Sequence, residues 1–262
     1  MIKLWLFMAG AAVSSAIWAD YPSTYEPPPH AAFVLTHAIV DVGEGQGEFE
    51  GWVSVVDGKI AGVGAMDEAR PSDTLEINAS GRWLTPGVID VHSHLGDYPS
   101  PGYRAHSDGN EATSPVTAEV WAEHSVWPQD PQFPLALAGG VTTLQVLPGS
   151  ANLFGGRSVV LKNIWSRTVQ GMKFPGAPYG LKMACGENPK RVYGSRGQTP
   201  STRMGNFAGY RKAWIDAQEY QKKWTRFEKA LAEYELWRIS DQGEKDYKEP
   251  PSPPKRNLQM ET

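Results

Sequence analysis

Three features of the sequence predict an α/β protein: a strand-rich block with a tight hairpin, two short apolar runs joined by a long connection, and a long amphipathic helix. Residues 20–30 are Pro-rich and read as an extended lead-in. Residues 32–42 (AFVLTHAIVDV) form the first strand-like run, and 51–56 (GWVSVV) and 59–63 (KIAGV) flank Asp57-Gly58, a strong two-residue hairpin signal. With short strand candidates at 74–78 and 82–84, residues 31–84 form a small antiparallel β unit. After Thr85-Pro86-Gly87 the pattern changes: residues 88–91 (VIDV) and 141–147 (VTTLQVL) are apolar runs of the kind found in buried parallel strands. A loop-like stretch over 95–132 and a helix-like Leu135–Ala138, stopped by Gly139-Gly140, lie between them. Further strand candidates fall at 158–164 and 180–184, which makes three or four parallel strands in the 85–203 region. Over 204–238, Phe207, Tyr210, Trp214, Ala217, Trp224, Phe227, Leu231 and Tyr234 recur at three- and four-residue steps, so 204–240 is a long amphipathic helix with an aromatic packing seam. A Pro-rich tail, 241–262, follows.

Composition narrows the function classes. The chain has 262 residues and a net charge near -4, which argues against a basic nucleic-acid binder. Its single cysteine, Cys185, excludes an internal disulfide framework and a Cys-rich zinc module. Lys3, the apolar stretch 4–18 and the small Ala19 before Asp20 read as a secretory signal peptide over 1–19. The expectation is a periplasmic or secreted protein without stable membrane insertion after cleavage.

The chemistry concentrates at Asp90-Val91-His92-Ser93-His94. Side chains two apart on a strand share a face, so Asp90, His92 and His94 point the same way. Two imidazoles so placed at a strand end can ligate one divalent metal. Asp90 would act from behind them, orienting an imidazole or the strand end.

On LTPGVIDVHSHLG (84–96), the Asp57-Gly58-Lys59-Ile60 turn and GGVTTLQVLPGS (139–150), the chain resembles the amidohydrolase superfamily of metal-dependent hydrolases. With GLKMACGENPKRVYG (180–194) it is similar to the exported imidazolonepropionase-like amidohydrolases, over about residues 31–215. The resemblance implies a TIM-like (β/α)8 barrel beside a small β-sandwich over 31–84, with one or two metals at the carboxyl-terminal mouth of the barrel. It implies hydrolysis of a C–N bond, in a cyclic amide or an acylated amine, by metal-activated water. It carries the first ligand pair onto His92 and His94, and offers Glu187 as a ligand carboxylate, with Lys182 the rival because some members bridge their metals with a modified lysine. Zinc is the expected metal, with iron and manganese as alternatives. His106 and His124 lie in the loop that would border the mouth.

The superfamily pattern also needs two histidines and an aspartate on later strands, and no histidine follows His124. The stretch 85–262 is also short against the about 250 residues of an eight-unit barrel. The expectation is therefore an N-terminal portion whose remainder comes from a missing C-terminal half, with a homo-oligomer as another possible partner and a small molecule as substrate. The competing expectation is a non-catalytic periplasmic binding or assembly protein that retains half a hydrolase fold.

Overall fold

The computed structural model describes residues 21–43, 45, 47–240 and 247–261. The expected signal peptide, 1–19, lies outside the described residues. No helix among those described is long and apolar enough to cross a membrane.

The first five strands are β1 (Phe33–Val40), β2 (Phe49–Val56), β3 (Lys59–Ala65), β4 (Leu75–Asn78) and β5 (Trp83–Leu84). Strict alternation along β1 buries Val34, Thr36, Ala38 and Val40 on one face. The β2–β3 hairpin turns at Asp57 and Gly58, with φ of 51° and 72°, the doubly positive geometry that this dipeptide favours. Two expectations are corrected here. The strands form one sheet, ordered β3-β2-β1-β4 with β5 also against β1, rather than two sandwiched layers. The sheet is also mixed: β1 pairs antiparallel with β2 but parallel with β4 and β5. The hairpin occupies one edge of β1, so the chain leaving β3 crosses to the other edge and enters it in the same direction.

A second sheet begins at β6 (Val88–Ser93), which pairs in parallel with β7 (Val141–Val146) after the short helix α1 (Gln132–Ala138). Two strands follow β7 closely, β8 (Phe154–Arg157) and β9 (Val159–Lys162), then helix α2 (Val169–Met172) and strand β10 (Leu181–Met183). The expected run of three or four parallel strands is corrected to one parallel pair, because β9 lies antiparallel to β7 and β10 antiparallel to β8. No helix separates β7 from β9, and a parallel return uses a crossover, most often a helix. The core beneath this sheet joins Leu144, Val146, Val159 and Leu161 to Phe133 of α1 and to Val169 and Met172 of α2. On the far side β6 has no strand neighbour among the described residues, and Ile89 and Val91 are 64% and 67% exposed.

After α3 (Glu187–Gly194) comes α4 (Arg203–Arg238), whose 36 residues span about 54 Å at the standard helical rise. Its first turn is capped by Thr202, whose hydroxyl accepts from the Gly205 amide at 3.0 Å. The aromatic seam is divided between two partners. Near the start Tyr210 and Trp214 meet Phe154 at ring distances of 5.8 and 5.7 Å. Further along, the returning tail lies against the helix, with Lys248 over the Trp237 ring at 5.8 Å and the Asn257 amide bonded to the Tyr220 hydroxyl at 3.3 Å. The tail ends in α5 (Leu258–Glu261). Removing the cap by Thr202→Ala should lower stability by about 1 kcal/mol, read as a reduced urea midpoint at unchanged slope.

Candidate metal centre

The end of β6 brings two imidazoles together. The rings of His92 and His94 lie 5.3 Å apart at 80° to one another. His94 Nδ1 sits 2.7 Å from the Leu147 carbonyl, at the end of β7. A carbonyl only accepts, so Nδ1 carries the proton and Nε2 keeps its lone pair. Burial pushes His94 below its usual pKa, and the nearby Lys182 and His92 add to that shift, while the Leu147 bond and Asp90 oppose it. The neutral, ligating form is thereby favoured.

His92 Nε2 lies 3.0 Å from Lys182 Nζ. Lys182 is the central residue of β10, where alternation turns it inward and leaves it 7% exposed. Burial lowers its pKa. Asp90 Oδ1 accepts from the His92 backbone amide at 3.0 Å, so its carboxylate braces the strand end rather than an imidazole.

Glu187, the favoured carboxylate ligand in the sequence, is not brought to this cluster. Gly186, at φ 81°, turns the chain out of β10, and Glu187 then opens α3 facing solvent, bonded to Arg191 at 2.9 Å one helical turn on. Lys182, the rival, holds the position beside His92. Of the two loop histidines, His106 packs on Trp127 at 5.0 Å, while His124 stacks on Trp121 at 5.8 Å.

The sequence reading missed several groups around the pair. Tyr98 sets its ring edge against His94 at 5.8 Å, and its hydroxyl meets the Asn110 amide. Asp97 is buried, with Oδ1 accepting from Ser125 at 2.8 Å. Burial raises its carboxyl to about 7 against the Ser125 bond, and Asp108 adds to the rise. Asp130 takes the Gly96 amide at 3.0 Å, so the 95–132 segment is pinned at both ends. The signal for Tyr98 and Asp97 was their place four and three residues beyond His94, within reach of a strand-end turn.

Two imidazoles, His94 with a free Nε2 and His92 with its Nε2 turned to Lys182, fit a divalent metal as part of a ligand set; a catalytic zinc takes three protein ligands. Among the described residues no group of three or more His, Cys, Asp or Glu side chains gathers at one point. Lys182 is the remaining group at the pair.

No family model matches the chain. The crystal structure of an amidohydrolase from Thermotoga maritima MSB8 superposes with a TM-score of 0.69 at 38% identity, covering 87% of this chain and 54% of that one. The chain is similar to proteins of the amidohydrolase superfamily. Curated relatives agree with this placement. Amidohydrolase tasK of Hapsidospora irregularis is 38% identical over 58% of this chain, and the imidazolonepropionase of Stenotrophomonas maltophilia (strain R551-3) is 31% identical over 43% of it. The chain spans 16% and 32% of the lengths of those two relatives. Its fold is that of the amidohydrolase neighbour, a mixed α/β arrangement.

Proposed function

We propose that the chain forms the metal-holding part of an exported hydrolase that cleaves C–N bonds other than peptide bonds, in cyclic amides or acylated amines. The observation that carries this reading is the His92–His94 pair at the end of β6, with His94 fixed through Nδ1 so that Nε2 faces the site. A bound divalent metal, zinc first because imidazole suits it, acidifies water and polarises a carbonyl. His92 and His94 would hold it, and Lys182, converted to an anion as in some superfamily members, would supply an oxygen donor. Asp90 keeps the strand end in register, the Leu147 carbonyl fixes the His94 tautomer, and the pinned 95–132 segment limits access of bulk water. The full protein would complete a barrel and work on a small molecule in the periplasm or outside the cell.

Metal analysis of the purified protein, with hydrolysis of N-acetyl amino acids and cyclic amides before and after chelation, tests the reading. Activity that vanishes with the metal and returns with zinc is the expected result. Tight ligand binding without turnover, at full metal loading, would replace the hydrolase by a non-catalytic binder.

A further inference from the structure

The Leu147 carbonyl holds the His94 ring at one atom, Nδ1, at 2.7 Å. A ring pinned at one atom can still pivot about that bond, and its other nitrogen then swings away from any fixed point. A second restraint comes from Tyr98. The chain turns after β6 so that the Tyr98 amide donates to the His94 carbonyl at 3.2 Å, which folds the Tyr98 side chain back towards His94. The two rings meet at 5.8 Å and 87°, the edge-to-face arrangement that aromatic rings favour.

Tyr98 is itself seated in a built slot. A side-chain carbon at Gly109 would fall on the Tyr98 ring, and one at Gly149 would fall on the Tyr98 hydroxyl and the Asn110 amide. The two glycines are joined through the backbone, the Gly149 amide donating to the Gly109 carbonyl. The Asn110 amide donates to the Tyr98 hydroxyl, and Asn110 Oδ1 accepts from the Ala151 amide at 3.0 Å. Gln132 Nε2 ties down the Tyr98 carbonyl at 3.0 Å. Core packing does not account for this set of restraints, because Tyr98 remains 37% exposed.

Leu147, Gly149 and Ala151 all lie in the turn between β7 and β8. That turn therefore holds His94 twice, directly through the Leu147 carbonyl and indirectly through Tyr98.

We propose that Tyr98 is a positioning residue: seated between Gly109 and Gly149, its ring sets the angle of the His94 imidazole for a divalent metal. It acts through His94 and touches neither the metal nor the substrate. The proposal rests on the reading of His92 and His94 as metal ligands only for what the imidazole then binds.

Two measurements on the whole protein test it. The first is NMR of isotope-labelled histidine in the metal-free protein, above the imidazole pKa, which reads the His94 tautomer. The unsubstituted protein should show the Nδ1–H form alone, as the bond to Leu147 dictates. Tyr98→Leu should show both tautomers, because the freed ring leaves Leu147 for part of the time. Tyr98→Phe keeps a ring in the slot and should restore the single form. The second is zinc affinity, by competition with a chelating dye. It should fall about 10–100-fold in Tyr98→Leu and by less than about 10-fold in Tyr98→Phe. An unchanged circular-dichroism melt will show that the fold is intact, and Tyr98→Met, nearer in volume, carries the same expectation if the leucine protein melts early. A single Nδ1–H tautomer in both the leucine and methionine variants would overturn the proposal, whatever their zinc affinity. So would a phenylalanine variant no better than the leucine one, or a zinc affinity that depends on His94 and is untouched by Tyr98→Leu. Mixed tautomers in Tyr98→Leu, together with a zinc affinity that His94→Ala leaves unchanged, would keep Tyr98 as the support of His94 and count against the metal reading instead.

Discussion

His94→Ala is expected to strip the protein of bound divalent metal and to lower C–N hydrolysis by more than the about 10–100-fold that loss of a mere supporting group costs. The substitution removes one of the two nitrogen donors and also unties the strand end, since His94 Nδ1 is what reaches the Leu147 carbonyl across the β6–β7 pair. Metal content measured by mass spectrometry comes first, before any rate. A His94→Ala protein with its normal complement of metal would sink the assignment, whatever its activity. His92→Ala should give the same loss, while Glu187→Ala should leave both metal and rate near their original values, because Glu187 faces solvent with Arg191.

Lys173→Met is expected to destabilise the protein by about 3–5 kcal/mol, the cost of leaving one member of a buried ion pair alone. Lys173 Nζ lies 2.8 Å from Glu123 Oε2, and the Glu123 side chain is fully buried. The same ammonium donates to the Tyr21 carbonyl at 2.7 Å and meets the Tyr179 hydroxyl, which itself bonds to Glu123 at 3.1 Å. The lead-in segment is held there too, through Ser23 to the Lys173 carbonyl at 2.6 Å. A chemical-denaturation curve checks the size. Adding Glu123→Leu to Lys173→Met should recover most of the loss, because no stranded charge remains. A double variant as unstable as the single one would show that the ammonium acts through the lead-in segment and not through the carboxylate.

The sequence made the local features plain and the long-range ones obscure. Asp57-Gly58 is legible because both residues tolerate the positive φ that the turn demands, and the turn depends on nothing distant. His92 and His94 are legible because a two-residue spacing fixes a shared face. The direction of β9 and β4 was not, since parallel and antiparallel neighbours bury the same side chains. β8 was missed because its sequence, FGGR, looks like a loop. Gly156 is nevertheless required, at φ 117° and so close to the Val120 carbonyl that a side-chain carbon would collide with it. At β10 the glycine before Glu187 drew attention away from the alternation that turns Lys182 inward. Glu123 and Lys173, and Tyr98 with Gly109 and Gly149, come together only once the sheet has formed.

The bare outer edge of β6 has a kinetic consequence. Ile89 and Val91 offer apolar side chains beside backbone groups that no neighbouring strand takes up, so another strand can add there. Closure of that edge from within one molecule is a first-order event, indifferent to dilution. Capture by a second molecule is second-order and rises with the square of concentration. The yield of dispersed protein therefore depends on how crowded the chains are while they fold, and slow synthesis or rapid dilution shifts the competition towards the single molecule.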